Sequence, residues 1–275
     1  MQAKQMAMVV ASALSSLVAL QAHAGATLDR VNHTHVLVAV MDKSYPPFVF
    51  LNAQNQLDGF DVDVVKAVAK RLGARLKIET PAWEAITAGH WNGRWDICAC
   101  SMTPDKNKAE VLNFPAYYYS SPAVVIVNAA NHSIKSGADL DGKKIGIEGG
   151  SSYERYLQRN LQLYGTSKQP SYPFKAVRIA PYDSEEVAFQ DLGLGDGVRI
   201  DAVISNYATA KLRLERSPGK FKVVGRPLYD EPNWVAVDKG DPEWNATVAK
   251  IIKDFHRDGT LAKISKKWIG SDITK

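Results

Sequence analysis

Two short stretches carry residue types suited to holding an anion. Gly149-Gly150-Ser151-Ser152 follows the strand-like run Ile145-Gly146-Ile147 and opens a segment whose Tyr153, Tyr156, Leu157 and Leu161 recur at helical spacing. A strand that ends in glycines and starts a helix on hydroxyl residues presents free backbone N–H groups and the positive end of the helix dipole. Ser151 and Ser152 would add donors, and the same residues would equally make the N-cap of an ordinary helix. Ser101-Met102-Thr103-Pro104 follows a second strand end and precedes Lys106 and Lys108. Open α/β sheets collect ligands at the carboxyl ends of their strands, so hydroxyls and an ammonium there suit an anionic group. An exposed proline loop with solvated lysines has the same composition. Tyr45 and Trp83 are large enough to wall a pocket, and equally to pack in a core.

Catalytic constellations are thin. His33, His35, His90, His132 and His256 have no acidic or cysteine partner at ligand spacing, and His33-Thr34-His35 reads as a solvated segment rather than a metal site. There is no G-x-S-x-G elbow, P-loop or H-E-x-x-H motif. Cys98 and Cys100, the only cysteines, share one face of a strand and are expected as buried thiols. No metal and no cofactor is expected.

The elements that must position these residues follow from the pattern. The chain has 275 residues, 45% apolar and 23% charged, enough for one large core or two smaller ones. A formal charge of +5, interspersed along the chain, argues against a nucleic-acid partner. Lys4, the apolar residues 6–20 and Ala22-His23-Ala24 have the layout of a secretory signal peptide covering residues 1–24. These fifteen residues, interrupted only by serines, rise only ~22 Å as a helix, short of a bilayer's ~30 Å core, so cleavage and export are expected. Val36-Leu37-Val38-Ala39-Val40-Met41 reads as a strand buried on both faces. Tyr45-Pro46-Pro47-Phe48 breaks it, and Val62, Val65, Val68 and Leu72 mark a helix stopped by Gly73. Strands at 76–79, 96–101, 123–127, 145–147, 200–204 and 234–237 alternate with helices near 83–90, 153–161 and 184–192 and two more in the last 45 residues, marked by Val248, Ile251 and Phe255 and by Leu261, Ile264 and Trp268. An α/β architecture with mostly parallel strands follows.

These segments in this order resemble the periplasmic amino-acid-binding proteins of ABC importers, the solute-binding family 3 group. The matching residues are Tyr45-Pro46-Pro47-Phe48, Gly59-Phe60-Asp61-Val62-Asp63, Trp83, Ser101-Met102-Thr103, Phe114 and tyrosines 117–119. Asp139-Leu140-Asp141-Gly142-Lys143, Gly150-Ser151-Ser152, Asp201-Ala202-Val203 and Asp258-Gly259-Thr260 complete the series. The resemblance implies a two-lobed type II periplasmic-binding fold, two α/β lobes joined by two crossover hinge strands. Lobe 1 would be 25–119 plus 232–275 and lobe 2 would be 120–231, with hinges near 119–122 and 230–233. It further implies that Tyr45 and Trp83 sandwich the ligand, that Ser101 and Thr103 bond its carboxylate, and that Gly150, Ser151 and Ser152 close on that carboxylate.

Two positions depart from the family pattern. Lys108 stands where an arginine usually clamps the α-carboxylate, keeping the charge but not the bidentate fork. Asn206 stands where an aspartate usually takes the α-ammonium, leaving only its carbonyl as an acceptor. Asp42 and Met102 are further lining candidates, and Asp42 favours a cationic tail if it points inward. The function implied is a periplasmic, monomeric receptor that hands an amino acid or related carboxylate to an inner-membrane ABC permease. Two alternatives suit the same scaffold. One is an exported dehydratase, which would need a general acid such as Glu84 or Glu148. The other is a partner-binding accessory protein with a degenerate cleft.

Overall fold

The computed structural model describes residues 25–275, so the expected signal peptide lies outside the described residues. After the helix Ala26–Thr34, strand β1 (Val36–Val40) leads through the Tyr45 loop to a small hairpin, β2 (Phe50–Leu51) and β3 (Leu57–Asp58). The helix Phe60–Arg71 follows, then β4 (Arg75–Glu79), which runs parallel to β1 from Val36↔Arg75 to Val40↔Glu79. A single parallel bridge, Ala39↔Ile97, links β1 to the start of β5 (Cys98–Met102).

Two strands dominate the topology. β6 (Leu112–Asn128) has 17 residues and β10 (Phe221–Asp238) has 18, and they pair antiparallel from Leu112↔Asp238 to Asn128↔Phe221. At about 3.3 Å per residue each extends some 55 Å, longer than one lobe needs. Between them in the chain lie β7 (Lys144–Glu148), β8 (Arg178–Tyr182) and β9 (Ala202–Asn206). The sheet order is β5-β10-β6-β9-β7-β8, with β7 parallel to both β8 and β9. One end of the long pair therefore carries β5, and the other carries β7 to β9. In the middle, Pro122 faces Asp230 and Pro232 faces Ser120. Proline has no N–H, so the ladder is thinned there.

The cores divide the same way. One gathers Leu37, Phe48, Phe60, Trp91, Tyr118 and Trp244 around β1, β5 and the helices Phe60–Arg71 and Pro242–Arg257. The other end of the long pair is covered on both faces. Val125, Val127, Ile145 and Ile204 point to one core and Val124, Ile126 and Val203 to another, the period-2 alternation of a sheet packed on two sides.

The helix Phe60–Arg71 buries Val62, Val65 and Val68 as its spacing predicts. The isolated strands expected at 123–127 and 234–237 are instead the ends of β6 and β10, whose prolines and aromatic-polar mixture disguise the rest. Cys98 and Cys100 are joined to each other, Cα atoms 5.1 Å apart, which corrects the expectation of two thiols. Alternate strand residues share a face, and this separation lies within the range a disulfide spans.

Gly59 fixes the Tyr45 loop in place. The first helical N–H groups, from Phe60 and Asp61, donate to the carbonyls of Pro47 and Phe48 at 3.1 and 2.9 Å. Gly59 adopts φ 133°, and a Cβ there would stand 2.3 Å from the Phe48 carbonyl oxygen. Backbone cannot yield as a side chain would, so Gly59→Ala is expected to cost about 3 kcal/mol, lowering Tm by roughly 6–12 °C. A thermal melt within a degree of the native protein would contradict this packing.

Candidate functional site

A cavity of about 30 Å³ lies beside the middle of the long strand pair, between the halves that its two ends carry. That is room for only one or two waters. Tyr45, Trp83, Thr103 and Lys108 line it from the β1–β5 side, and Ser151, Ser152 and Tyr153 from the β7–β9 side. Glu231, from the middle of β10, lies between them.

Glu231 was not singled out by the sequence, yet the site is built on it. Its Oε1 accepts from Thr103 Oγ1 at 2.9 Å and from Ser152 Oγ at 2.6 Å. Its Oε2 accepts from Tyr153 OH at 2.8 Å and, at 3.5 Å, from Asn206 Nδ2. The Tyr45 hydroxyl, 3.2 Å from that of Tyr153, extends the network across the cleft. Burial pushes the Glu231 carboxyl up, and the Ser152, Tyr153, Thr103 and Asn206 donors pull it back.

Several expected roles change in this setting. Lys108 Nζ pairs with Asp105 Oδ2 at 2.5 Å, and Asp105 Oδ1 also accepts from the Lys108 backbone N–H, so this cation is already matched. Asp105 caps the helix Lys106–Val111, which explains why the lysine three residues on folds back to it. The Gly150 N–H donates to Glu154 Oε2 at 2.8 Å, while Ser151 Oγ accepts from the Glu154 N–H, so the helix Ser152–Leu157 caps itself. Gly150 itself suits the turn into that helix, since its φ of +73° lies in the left-handed region that glycine adopts without strain.

Asn206 Oδ1 accepts from the Ala208 N–H, capping the helix Tyr207–Arg216, so the cleft receives its NH₂ donor rather than the expected carbonyl. Met102 is fully buried in the core and does not line the cavity, as expected of alternate residues on opposite faces of β5. Ser101 does line it, at a positive φ of 55°. Its hydroxyl donates to Asp61 Oδ2 at 2.7 Å and accepts from Tyr119 OH at 2.7 Å, while Tyr118 OH donates to Asp61 Oδ1. Burial raises the Asp61 carboxyl to about 7 against those hydroxyls.

Three further carboxyl groups line the cavity. Asp42 does point inward, and Glu148 and Glu185 join it from the other side. Glu148 Oε1 and both Glu185 oxygens have no hydrogen-bond partner among the described residues. Burial raises all three, and the Asp42 and Glu185 charges raise Glu148 further. Of the residues missed, only Glu185 had a readable signal, an acid in the first turn of a helix after a strand end; Glu231 and Tyr153 had none.

Burial lifts the Glu185 carboxyl to about 8 from an ordinary 4.5. A raised carboxyl stabilises the fold fully below its unfolded value, and that contribution is lost as pH climbs through the folded one. Glu185→Gln keeps the neutral shape without titrating. Its Tm should match the native protein near pH 5 and exceed it by several degrees at pH 8.5, reflecting up to about 4 kcal/mol. A gap between the two melts that does not change with pH would contradict the assignment.

With this geometry in place, comparisons with known proteins become informative. The chain is 29% identical over 249 residues to the L-cystine-binding protein TcyJ of Escherichia coli (strain K12), covering 90% of this chain and 88% of the relative. It is 30% identical over 233 residues to ABC transporter arginine-binding protein 1 of the same strain, covering 82% and 87%. Among solved structures it resembles an ancestral arginine-binding protein bound to arginine, with a TM-score of 0.75 and 30% identity over 86% of this chain and 99% of that one. The fold is the type II periplasmic-binding-protein fold. These relatives are binding proteins by name, which favours a receptor over the dehydratase alternative. The family model matches residues 37–271, and the chain belongs to the bacterial extracellular solute-binding proteins, family 3.

Proposed function

We propose that the protein is a periplasmic receptor that closes its two lobes on a small amino acid with a cationic tail and delivers it to an inner-membrane ABC permease. The lobes are residues 25–119 with 232–275, and 120–231, turning about the stretches near 119–122 and 230–233. One observation carries this reading. Donors from both halves, Thr103 on one side and Ser152, Tyr153 and Asn206 on the other, converge on Glu231 of a crossover strand. Relative motion of the halves therefore makes or breaks the site. The thinned ladder at Pro122 and Pro232 supports a hinge there. The names of the relatives, which bind cystine and arginine, support an amino-acid cargo. The acidic lining of Asp42, Glu148 and Glu185 favours a positive tail.

Titration calorimetry against the common amino acids at pH 7.5 tests this. Arginine or lysine should bind with a micromolar or tighter Kd, and aspartate and glutamate should give no binding heat. Equal affinity for acidic amino acids, or no amino acid bound below millimolar concentration, would overturn the reading.

A further inference from the structure

Asp241 caps two helices at once. Its Oδ1 accepts from the Trp244 N–H at 2.8 Å, in the first turn of its own helix Pro242–Arg257. Its Oδ2 accepts at 2.8 Å from the Thr27 N–H, in the first turn of the helix Ala26–Thr34. That helix has no side-chain cap of its own, because Gly25 stands at its N-cap. The Gly25 N–H also donates to Asp241 Oδ1, at 3.1 Å. Gly25 holds φ +91°, and a Cβ there would stand 2.5 Å from Glu243 Oε2 and 3.9 Å from Asp29 Oδ2. Three carboxyl groups thus gather about Gly25, and none of them forms an ion pair among the described residues. Asp241 is 7% exposed. Burial pushes its carboxyl up, but the Trp244, Thr27 and Gly25 donors hold it below its ordinary value, so it is ionised at neutral pH. Of the other charged groups on the surface pocket beside it, Arg30 pairs with Asp96 and Asp238 accepts from the Asn92 N–H. Lys239 also lines that pocket and forms no ion pair with any of the three.

The sequence offers a positive charge for this nitrogen. Ala22-His23-Ala24 is the small-x-small pattern at which an exported leader is cut, directly ahead of Gly25. Hydrolysis there takes one water and breaks the C–N bond between Ala24 and Gly25. The carboxylate stays on the leader, and the Gly25 nitrogen departs as an amine that takes up the proton. Three N–H donors and a full charge then stand where one neutral N–H stood. We propose that Asp241 is the receptor for the amino terminus of the mature chain, an ion pair that forms only once the leader has been cut after Ala24. Glu243 and Asp29 add negative charge around the same nitrogen. Such a pairing is needed, because an ammonium at the start of a helix opposes the positive end of its dipole. A hydrogen bond between two charged groups is roughly twice as strong as one between neutral groups. Leader removal therefore tightens the hold of the helix Ala26–Thr34 on the helix Pro242–Arg257. The inference needs export and cleavage but no particular solute, so it stands or falls apart from the cargo.

The full chain, expressed with its leader and purified from the periplasm, should have the intact mass of residues 25–275. Its thermal melt is then compared with that of the same mature chain acetylated at the Gly25 amine, which restores the amide of the uncut bond and removes the charge. The free-amine chain should melt roughly 2–4 °C higher at pH 6.5. An amine whose charged form is favoured by folding stabilises fully below its unfolded pKa, and that contribution is lost as pH climbs through the folded one. The gap should therefore shrink to within about a degree at pH 10, where an α-amine has lost its proton. The two chains share every other titrating group, so a purely steric effect of the acetyl group would give a gap that pH does not move. In Asp241→Asn, made in both chains, the gap at pH 6.5 should fall by at least half; if that variant does not fold, the pH series decides alone. A mass that begins at any residue other than Gly25, equal melts at pH 6.5, or the same gap at pH 6.5 and pH 10 overturns the inference and leaves the amino-acid receptor intact. A chain that is not exported at all overturns the periplasmic reading as well.

Discussion

A carboxylate taken out of water without a counterion stays in a fold only if donors converge on it. Glu231 meets that condition with donors that no single half of the molecule supplies. β10 is one of the two strands that pass through both halves, so a side chain at its middle can face Thr103 on one side and Ser152, Tyr153 and Asn206 on the other. The crossing of the sheet and the chemistry of the cleft thus share one residue. Separating the halves strips donors from the carboxylate, and bringing them together restores those donors.

The surroundings of Glu231 follow the same logic. Pro122 and Pro232 remove donors from the backbone ladder on either side of it, leaving side-chain bonds a larger share of what joins the halves there. The turn at Gly150, with φ +73°, starts the helix Ser152–Leu157, whose first hydroxyl reaches Glu231. Behind β5, Asp61 and the hydroxyls of Tyr118 and Tyr119 hold Ser101 in its left-handed conformation. These are positioning contacts, buried and largely satisfied. The unsatisfied oxygens face the cavity.

Much of the fold was legible because burial imposes a period. Val62, Val65 and Val68 show a helix face, and Val36 to Val40 form the expected strand, with Leu37, Ala39 and Val40 buried and Val36 and Val38 half-buried. β6 and β10 were legible only at their apolar ends, since Pro115, Pro122, Pro227 and Pro232 look like breaks when no partner strand is in view. In the site, Tyr45, Trp83, Thr103, Lys108 and Ser152 were all recognised and do meet around one cavity. Their partners were not. Glu231 sits in the polar run Tyr229-Asp230-Glu231-Pro232-Asn233, where the family resemblance implied a hinge but nothing pointed to a buried carboxylate, and only the long-range pairing of β6 with β10 buries it. The Asp105–Lys108 pair was readable, because an acid at a helix N-cap with a lysine three residues on is a local pattern. Reading Lys108 as a ligand clamp passed over that nearer partner.

A crystal structure of the protein with its bound solute tests the central claim most directly, because it shows whether both halves meet at the solute beside Glu231. The account requires the solute to lie between Thr103 on one side and Ser152 and Tyr153 on the other, with a cationic tail toward Asp42, Glu148 and Glu185. A solute held by one half alone, or seated outside this cleft, would contradict it.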